Sequence, residues 1–330
     1  MKNEKERNEI IDVGRSLLKT GLVARTWGNI SAREDDNHYL ITPSGLDYIT
    51  MEPEDIVSVA MDSGEWDGSH RPSGERGVHK AAYEVFPEVN FVVHTHQIFA
   101  TAMGLAGFDE LDITADEEKR LGGIALAEYG LPSSEKLINA VKGAMEKGAH
   151  VVLMIHHGVL VCGKDRADAM ERAELLEEIC KRNYKGLLNP VELHDDIDGD
   201  ALCEALSKEN AGEIFRAVKT PELCALAMRL EDITSQLDDV SQMVGERVVA
   251  CDENDAHKMF REYNAVLVKG VGAVVRADNE DDVEALTVLM DKMGKVKLHT
   301  EAYGLYPVID TSDSISMHDN YINNYSKQKK

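Results

Sequence analysis

Three histidines stand where one divalent cation can use them. His94 and His96 lie in Phe91-Val92-Val93-His94-Thr95-His96, and His157 lies in Ile155-His156-His157-Gly158, 61 residues after His96. In an extended strand residues i and i+2 share a face, so His94 and His96 aim at the same point while Thr95 turns away. Three neutral imidazoles with one open position is the catalytic arrangement of zinc, whereas a structural site is closed by a fourth protein ligand. In a chain with 12 histidines neither His-x-His nor His-His carries weight alone, and the setting has to make the case.

That setting begins upstream, in three turns built of small residues: Gly28-Asn29-Ile30-Ser31, Thr42-Pro43-Ser44-Gly45 and Pro72-Ser73-Gly74-Glu75. Such turns expose backbone N–H groups and hydroxyls, and the third also opens a helix, whose N-terminus favours anions. Together they can cradle a phosphate or carboxylate; each by itself is an ordinary turn. Glu75 falls in a first helical turn, where acids are common for dipole reasons alone. Beside a metal it can serve as a general base.

The elements that must position these residues follow from periodicity. Ile10, Ile11, Val13, Leu17 and Leu18 recur at helical spacing over 5–20, and Gly21 ends the run. Strands are expected at 29–33 and 39–42, a helix capped by Ser73 and running to about Phe86, and a strand over 90–95. A small-residue helix (100–106), a strand (124–127), a helix capped near Ser133-Ser134-Glu135, two strands (151–155 and 159–162) and a helix from about Arg166 to Lys185 complete an alternating α/β pattern. Gly186-Leu187-Leu188-Asn189-Pro190 breaks it, and an acidic linker is expected from Asp195 to Asp200.

Beyond that break the chain partly repeats itself. The run 152–161 can be laid on 266–275 at a constant offset of 114, and a helix over 280–295 follows, as one follows the first copy. Gly270 and Val271 stand where the first copy has His156 and His157, so the second copy cannot hold a metal in that way. Residues 195–330 are therefore expected to be a degenerate partial repeat, structural or interfacial in role.

Composition narrows the partners. A net charge of −24 repels nucleic acid and anionic membrane surfaces, so a phosphorylated substrate needs a local device for its capture. No apolar run is long enough to span a membrane, and the opening residues Met1-Lys2-Asn3-Glu4-Lys5-Glu6-Arg7 lead into a polar helical pattern without a signal-peptide core; a cytoplasmic location is expected. Cys162, Cys180, Cys203, Cys224 and Cys251 are odd in number and widely spaced, which suits reduced thiols.

Five motifs taken in order carry a resemblance: Gly28-Asn29-Ile30-Ser31-Ala32-Arg33, Ile41-Thr42-Pro43-Ser44-Gly45, Pro72-Ser73-Gly74-Glu75, Val93-His94-Thr95-His96 and His156-His157-Gly158-Val159. Over residues 5–190 the chain resembles the class II aldolase/adducin family. The resemblance implies a three-layer α/β/α domain, residues 1–190, around a mostly antiparallel or mixed sheet. It makes His94, His96 and His157 the metal ligands, with His156 only a neighbour, and Glu75 the catalytic acid/base. It also makes Asn29, Ser44, Gly45, Ser73 and Gly74 the substrate and phosphate residues, although many relatives carry a second Ser where this chain has Gly74.

The implied cofactor is one divalent ion per chain, zinc first, with manganese or cobalt as alternatives. The implied reaction is cleavage of a small phosphorylated ketose through a metal-stabilised enediolate. A dehydratase, decarboxylase or 4-epimerase on a related substrate is the alternative, and a non-enzymatic adducin-like scaffold is the reading from another class. Family aldolases take a Tyr from a neighbouring subunit in the segment matching 111–118, which has none here, while Asp116 resembles the acid of the epimerases. A homo-oligomer is expected, with Tyr303, Tyr306, Tyr321 or Tyr325 available to supply a phenol.

Overall fold

The computed structural model describes residues 2–107, 111–186 and 197–325. It divides into two compact units, Met1–Asn183 and Tyr184–Lys327. The expected break at 187–190 and the start of the acidic linker at Asp195 lie outside the described residues. Asp198 and Asp200, expected in that linker, instead open a helix: Asp198 caps Gly199–Glu209, its carboxylate accepting from the N–H groups of Asp200 and Ala201.

The first unit is built on eight strands, β1 (Asn29–Arg33), β2 (His38–Ile41), β3 (Val57–Ala60), β4 (Trp66–Asp67), β5 (Phe91–Thr95), β6 (Ile124–Ala127), β7 (Val151–Met154) and β8 (Gly158–Gly163). Their order across the sheet is β4-β3-β2-β1-β5-β8-β7-β6. Every neighbouring pair is antiparallel except β6 and β7, so the sheet is mixed. The strands β3 and β4, the latter at the edge, were not anticipated from the sequence.

Helices cover both faces: α1 (Glu4–Thr20), α2 (Arg76–Val85), α3 (Ile98–Ala106), α4 (Ala115–Leu121), α5 (Glu135–Met145) and α6 (Arg166–Arg182). One apolar core joins Ile10 and Leu17 of α1, Met103 of α3 and Leu176 of α6 to Ile30, Val93, Val159 and Val161 of the sheet. The other joins Val78 and Ala82 of α2 and Leu137 and Val141 of α5 to Ile41, Val92, Val152 and Leu160. Neighbouring strand residues such as Val92 and Val93 thus enter opposite cores, as period-two pleating demands, and three layers result.

The start of α2 differs from the sequence expectation. Ser73 does not cap the helix; Glu75 occupies the cap position without a side-chain cap bond, and Ser73 Oγ accepts from the Glu75 N–H at 3.2 Å. Ser134, by contrast, caps α5 through the Leu137 N–H, as its position before an amphipathic run predicts.

The second unit contains α7 (Gly199–Glu209), β9 (Ile214–Val218), α8 (Pro221–Ala227), β10 (Ile233–Thr234), α9 (Asp238–Met243), β11 (Arg247–Cys251), α10 (Ala256–Met259), β12 (Ala265–Val268), β13 (Gly272–Ala277), α11 (Glu280–Ala302) and α12 (Thr311–Asn320). Its sheet runs β10-β11-β12-β13-β9. The stretch β9-β13-β12-β11 has the order and directions of β5-β8-β7-β6: β13 is antiparallel to both neighbours, and β11 is parallel to β12. Ala217 faces Val274 as His94 faces Leu160. Val271 and Val274 lie 114 residues after His157 and Leu160, so Val271 stands in the place of His157 and, by pairing opposite Val274, Ala217 stands in that of His94.

Candidate metal centre

β1, β5 and β8 are adjacent, and the functional side chains gather at one end of these strands. His94 is paired with Asn29 on one side and with Leu160 on the other. The tight β7–β8 hairpin places His156 in the left-handed region, φ 68°, and His157 follows it with its N–H bonded to the Met154 carbonyl. His157 is thereby turned back over β5. The Nε2 atoms of His96 and His157 lie 3.0 Å and 3.2 Å from Nε2 of His94. Glu75 reaches the same point, with Oε2 3.0 Å from His94 Nε2 and Oε1 2.9 Å from His157 Nε2.

The donor atoms of Glu75, His94, His96 and His157 all lie within 4.8 Å of one another, among the described residues the one cluster of this kind. The chemistry of these atoms fits a cation. His94 Nδ1 lies 2.9 Å from the Val159 carbonyl oxygen, which can only accept, so the ring proton is on Nδ1 and Nε2 is bare. A bare nitrogen facing two more imidazoles and a carboxylate is a convergence of lone pairs, which needs positive charge at its centre. Zinc–nitrogen bonds of about 2.0–2.1 Å in tetrahedral array put ligand atoms about 3.3 Å apart, close to the observed spacings. A ring whose second nitrogen is tied to a backbone carbonyl is also how metal-bound imidazoles are usually oriented. Burial by itself would raise the Glu75 carboxyl, but with the His157 and His94 rings protonated, the charged alternative to a bound cation, the carboxyl is held well below the usual carboxylate range.

Two of the small-residue turns also meet. The Ser73 N–H donates to the Thr42 carbonyl and the Ser44 N–H to the Arg71 carbonyl, which zips the two turns together around a bridge between Pro43 and Pro72. Ser44, Gly45, Ser73 and Gly74 therefore share one edge beside Glu75. Gly74 is not merely a missing hydroxyl: a Cβ placed there would lie 2.8 Å from Ser133 Oγ, so the Ser133 side chain occupies the space a residue at 74 would take. Ser133 adopts φ 65° to reach it. The sequence had pointed to Ser133 only as part of a capping turn. Asp116 is exposed in the first turn of α4.

Sequence reasoning also missed a set of buried polar residues behind the centre, His79, Ser31 and Tyr83, of which His79 is fully buried. Burial pushes the His79 imidazole down to about 3, so the ring is neutral. The signal was present in the spacing: Glu75, His79 and Tyr83 recur every fourth residue, and Asn29, Ser31 and Arg33 every second.

Comparison with known proteins places this geometry. The family model described as Class II Aldolase and Adducin N-terminal domain matches residues 8–184. The L-ribulose-5-phosphate 4-epimerase UlaF of Salmonella paratyphi C (strain RKS4594) is 31% identical over 210 residues, covering 57% of this chain and 90% of the relative. Among solved structures, an L-fuculose 1-phosphate aldolase superposes with a TM-score of 0.51 at 25% identity, covering 63% of this chain and 97% of that one. YgbL from Escherichia coli gives 0.50 at 28% identity, covering 54% and 88%. Among the described residues no helix is long and apolar enough to cross a membrane.

Proposed function

Because the chain belongs to the class II aldolase and adducin family, we propose that its first unit is a divalent-metal enzyme acting on a small phosphorylated ketose, with His94, His96 and His157 as ligands and Glu75 as the acid/base. The observation that carries this reading is the convergence of three imidazole nitrogens and one carboxylate on a single point. A divalent ion held there, zinc first by its ligand types, supplies Lewis acidity that stabilises negative charge developing on a carbon beside a carbonyl. Glu75, 13% exposed, can exchange a proton with that carbon while Asn29 Nδ2 holds its Oε2 at 3.2 Å. The hydroxyls of Ser44, Ser73 and Ser133 and the N–H groups of Gly45 and Gly74 would meet the phosphate, the N–H groups of Ser44 and Ser73 being bonded to the Arg71 and Thr42 carbonyls. The second unit, lacking histidines at Ala217 and Val271, is a degenerate partial repeat with a structural or interfacial role.

Two reactions use this machinery. Carbon–carbon cleavage is the first reading, and the 31% identity to a 4-epimerase favours inversion at C4 as the second. Purified protein supplied with zinc, manganese or cobalt is offered L-fuculose 1-phosphate and L-ribulose 5-phosphate. Release of dihydroxyacetone phosphate from the first supports the lyase, and conversion of the second to its C4 epimer supports the epimerase. Glu75→Gln should lower either rate roughly 10²–10⁴-fold with the metal retained. No turnover of a wider ketose-phosphate panel by metal-loaded protein would overturn the reading.

A further inference from the structure

Behind Glu75, α2 and β1 are joined by a polar ladder rather than an apolar seam. Asn29 Nδ2 donates to Glu75 Oε2 at 3.2 Å, and Asn29 Oδ1 lies 2.5 Å from His79 Nε2. Ser31 Oγ lies 2.7 Å from His79 Nδ1 and 2.7 Å from the Tyr83 hydroxyl. At the far end the Arg33 guanidinium sits 4.8 Å from the centre of the Tyr83 ring and donates to the Tyr83 carbonyl at 3.0 Å. The match is geometric: four residues of helix advance about 6.0 Å and two residues of strand about 6.7 Å, so every fourth residue of α2 meets every second residue of β1.

The two ends allow only one direction for these bonds. A carboxylate accepts, so Asn29 must turn its amide N–H to Glu75 and its carbonyl to His79. His79 Nε2 must then carry the proton, and Nδ1, left bare, accepts from the Ser31 hydroxyl. Ser31 Oγ in turn accepts from Tyr83, whose phenol burial keeps protonated. In the reverse arrangement Asn29 Oδ1 would face the carboxylate and one hydroxyl proton of the Ser31–Tyr83 pair would lose its acceptor, two unmade bonds in a dry environment.

We propose that Tyr83, Ser31, His79 and Asn29 form a one-way hydrogen-bond chain that positions Glu75, with Arg33 at the outer end. His79 is then a positioning residue acting through Asn29. The inference rests on the assignment of Glu75 as the acid/base, and its test is arranged to separate the two.

The first measurement is made on the unaltered protein loaded with zinc: ¹⁵N spectra of labelled histidines should show His79 neutral, protonated at Nε2 and bare at Nδ1. A proton on Nδ1 would overturn the proposal. The second compares turnover of L-fuculose 1-phosphate and L-ribulose 5-phosphate with bound zinc quantified in each variant. Tyr83→Phe should lower kcat about fivefold, the scale of one buried neutral hydrogen bond, with KM and zinc content unchanged. His79→Leu should lower kcat further, and His79→Gln, whose amide can still donate to Asn29, should recover much of the loss. If Tyr83→Phe and His79→Leu both turned over at the full rate while Glu75→Gln did not, the ladder would be only structural and the proposal wrong, with the role of Glu75 intact. Full turnover by Glu75→Gln would overturn that role and the proposal together. Should His79→Leu fail to fold, the tautomer and Tyr83→Phe still decide.

Discussion

Gly158 lies against the Thr95 carbonyl with no room for a side chain: a Cβ on it would stand 2.3 Å from that oxygen and 3.1 Å from His94 Cε1. Gly272 has the same relation to the Val218 carbonyl oxygen, at 2.6 Å. The obstacle is backbone in both units, so neither strand can yield by a rotamer change. Gly158→Ala should cost about 1–3 kcal/mol of stability and push β8 from β5, carrying His157 away from His94. Gly272→Ala should cost a similar amount and leave metal content unchanged. Denaturant titration with metal analysis checks both, and wild-type zinc affinity in Gly158→Ala would show that this contact does not position His157.

The purified chain should hold about one divalent ion, since only the first unit carries a full set of ligands. His157→Ala should abolish it, because two imidazoles bind too weakly. His156→Gly should retain it, for His156 lies outside the donor cluster and occupies a left-handed position that Gly270 takes in the second unit. Metal analysis after gel filtration distinguishes these outcomes; two ions per chain would contradict the assignment.

Acid should destabilise the second unit through His299. The ring is buried and its Nδ1 accepts the Lys185 N–H at 3.0 Å, and burial pushes the imidazole down to about 4. A group whose folded value lies below its unfolded value of about 6.5 contributes stability above pH 6.5 that is lost as pH falls toward 4. His299→Asn, which keeps an acceptor and removes the titration, should flatten the unfolding midpoint between those pH values. An unchanged pH profile would remove His299 as the cause.

If the second unit serves assembly, the fragment 1–188 should keep its zinc while its subunit number and turnover fall. Light scattering and the ketose-phosphate assays read this out. A fragment with the oligomeric state and rate of the whole chain would make residues 197–325 an independent appendage.

Much of the centre was legible before the fold was known, because local rules govern it. Period two puts His94 and His96 on one face, the turns carry Ser44, Gly45, Ser73 and Gly74, and the second copy visibly lacks the histidines. The helix α1, with its clear apolar stripe, fell close to its expected bounds, and α5 began at its expected cap. The strand β3 was not anticipated, although Val57 and Val59 alternate inward, because it directly follows the turn-like run Glu52-Pro53-Glu54-Asp55. Ser73 looked like a cap because hydroxyls before helices usually are, whereas in the fold its N–H is committed to the Thr42 carbonyl and the helix begins later.

The rest required the sheet. His157 meets His94 because β8 lies beside β5, and Asn29 reaches Glu75 because β1 lies under α2, pairings of residues 46 to 63 apart in sequence. Ser133 fills the space above Gly74 across a similar separation. Spacing along the chain names the side chains able to do the chemistry and the face each one occupies. Which strands become neighbours depends on burying two apolar faces at once, a property of the whole domain, and only that burial brings the lone pairs to one point and sets the direction of the hydrogen bonds behind Glu75.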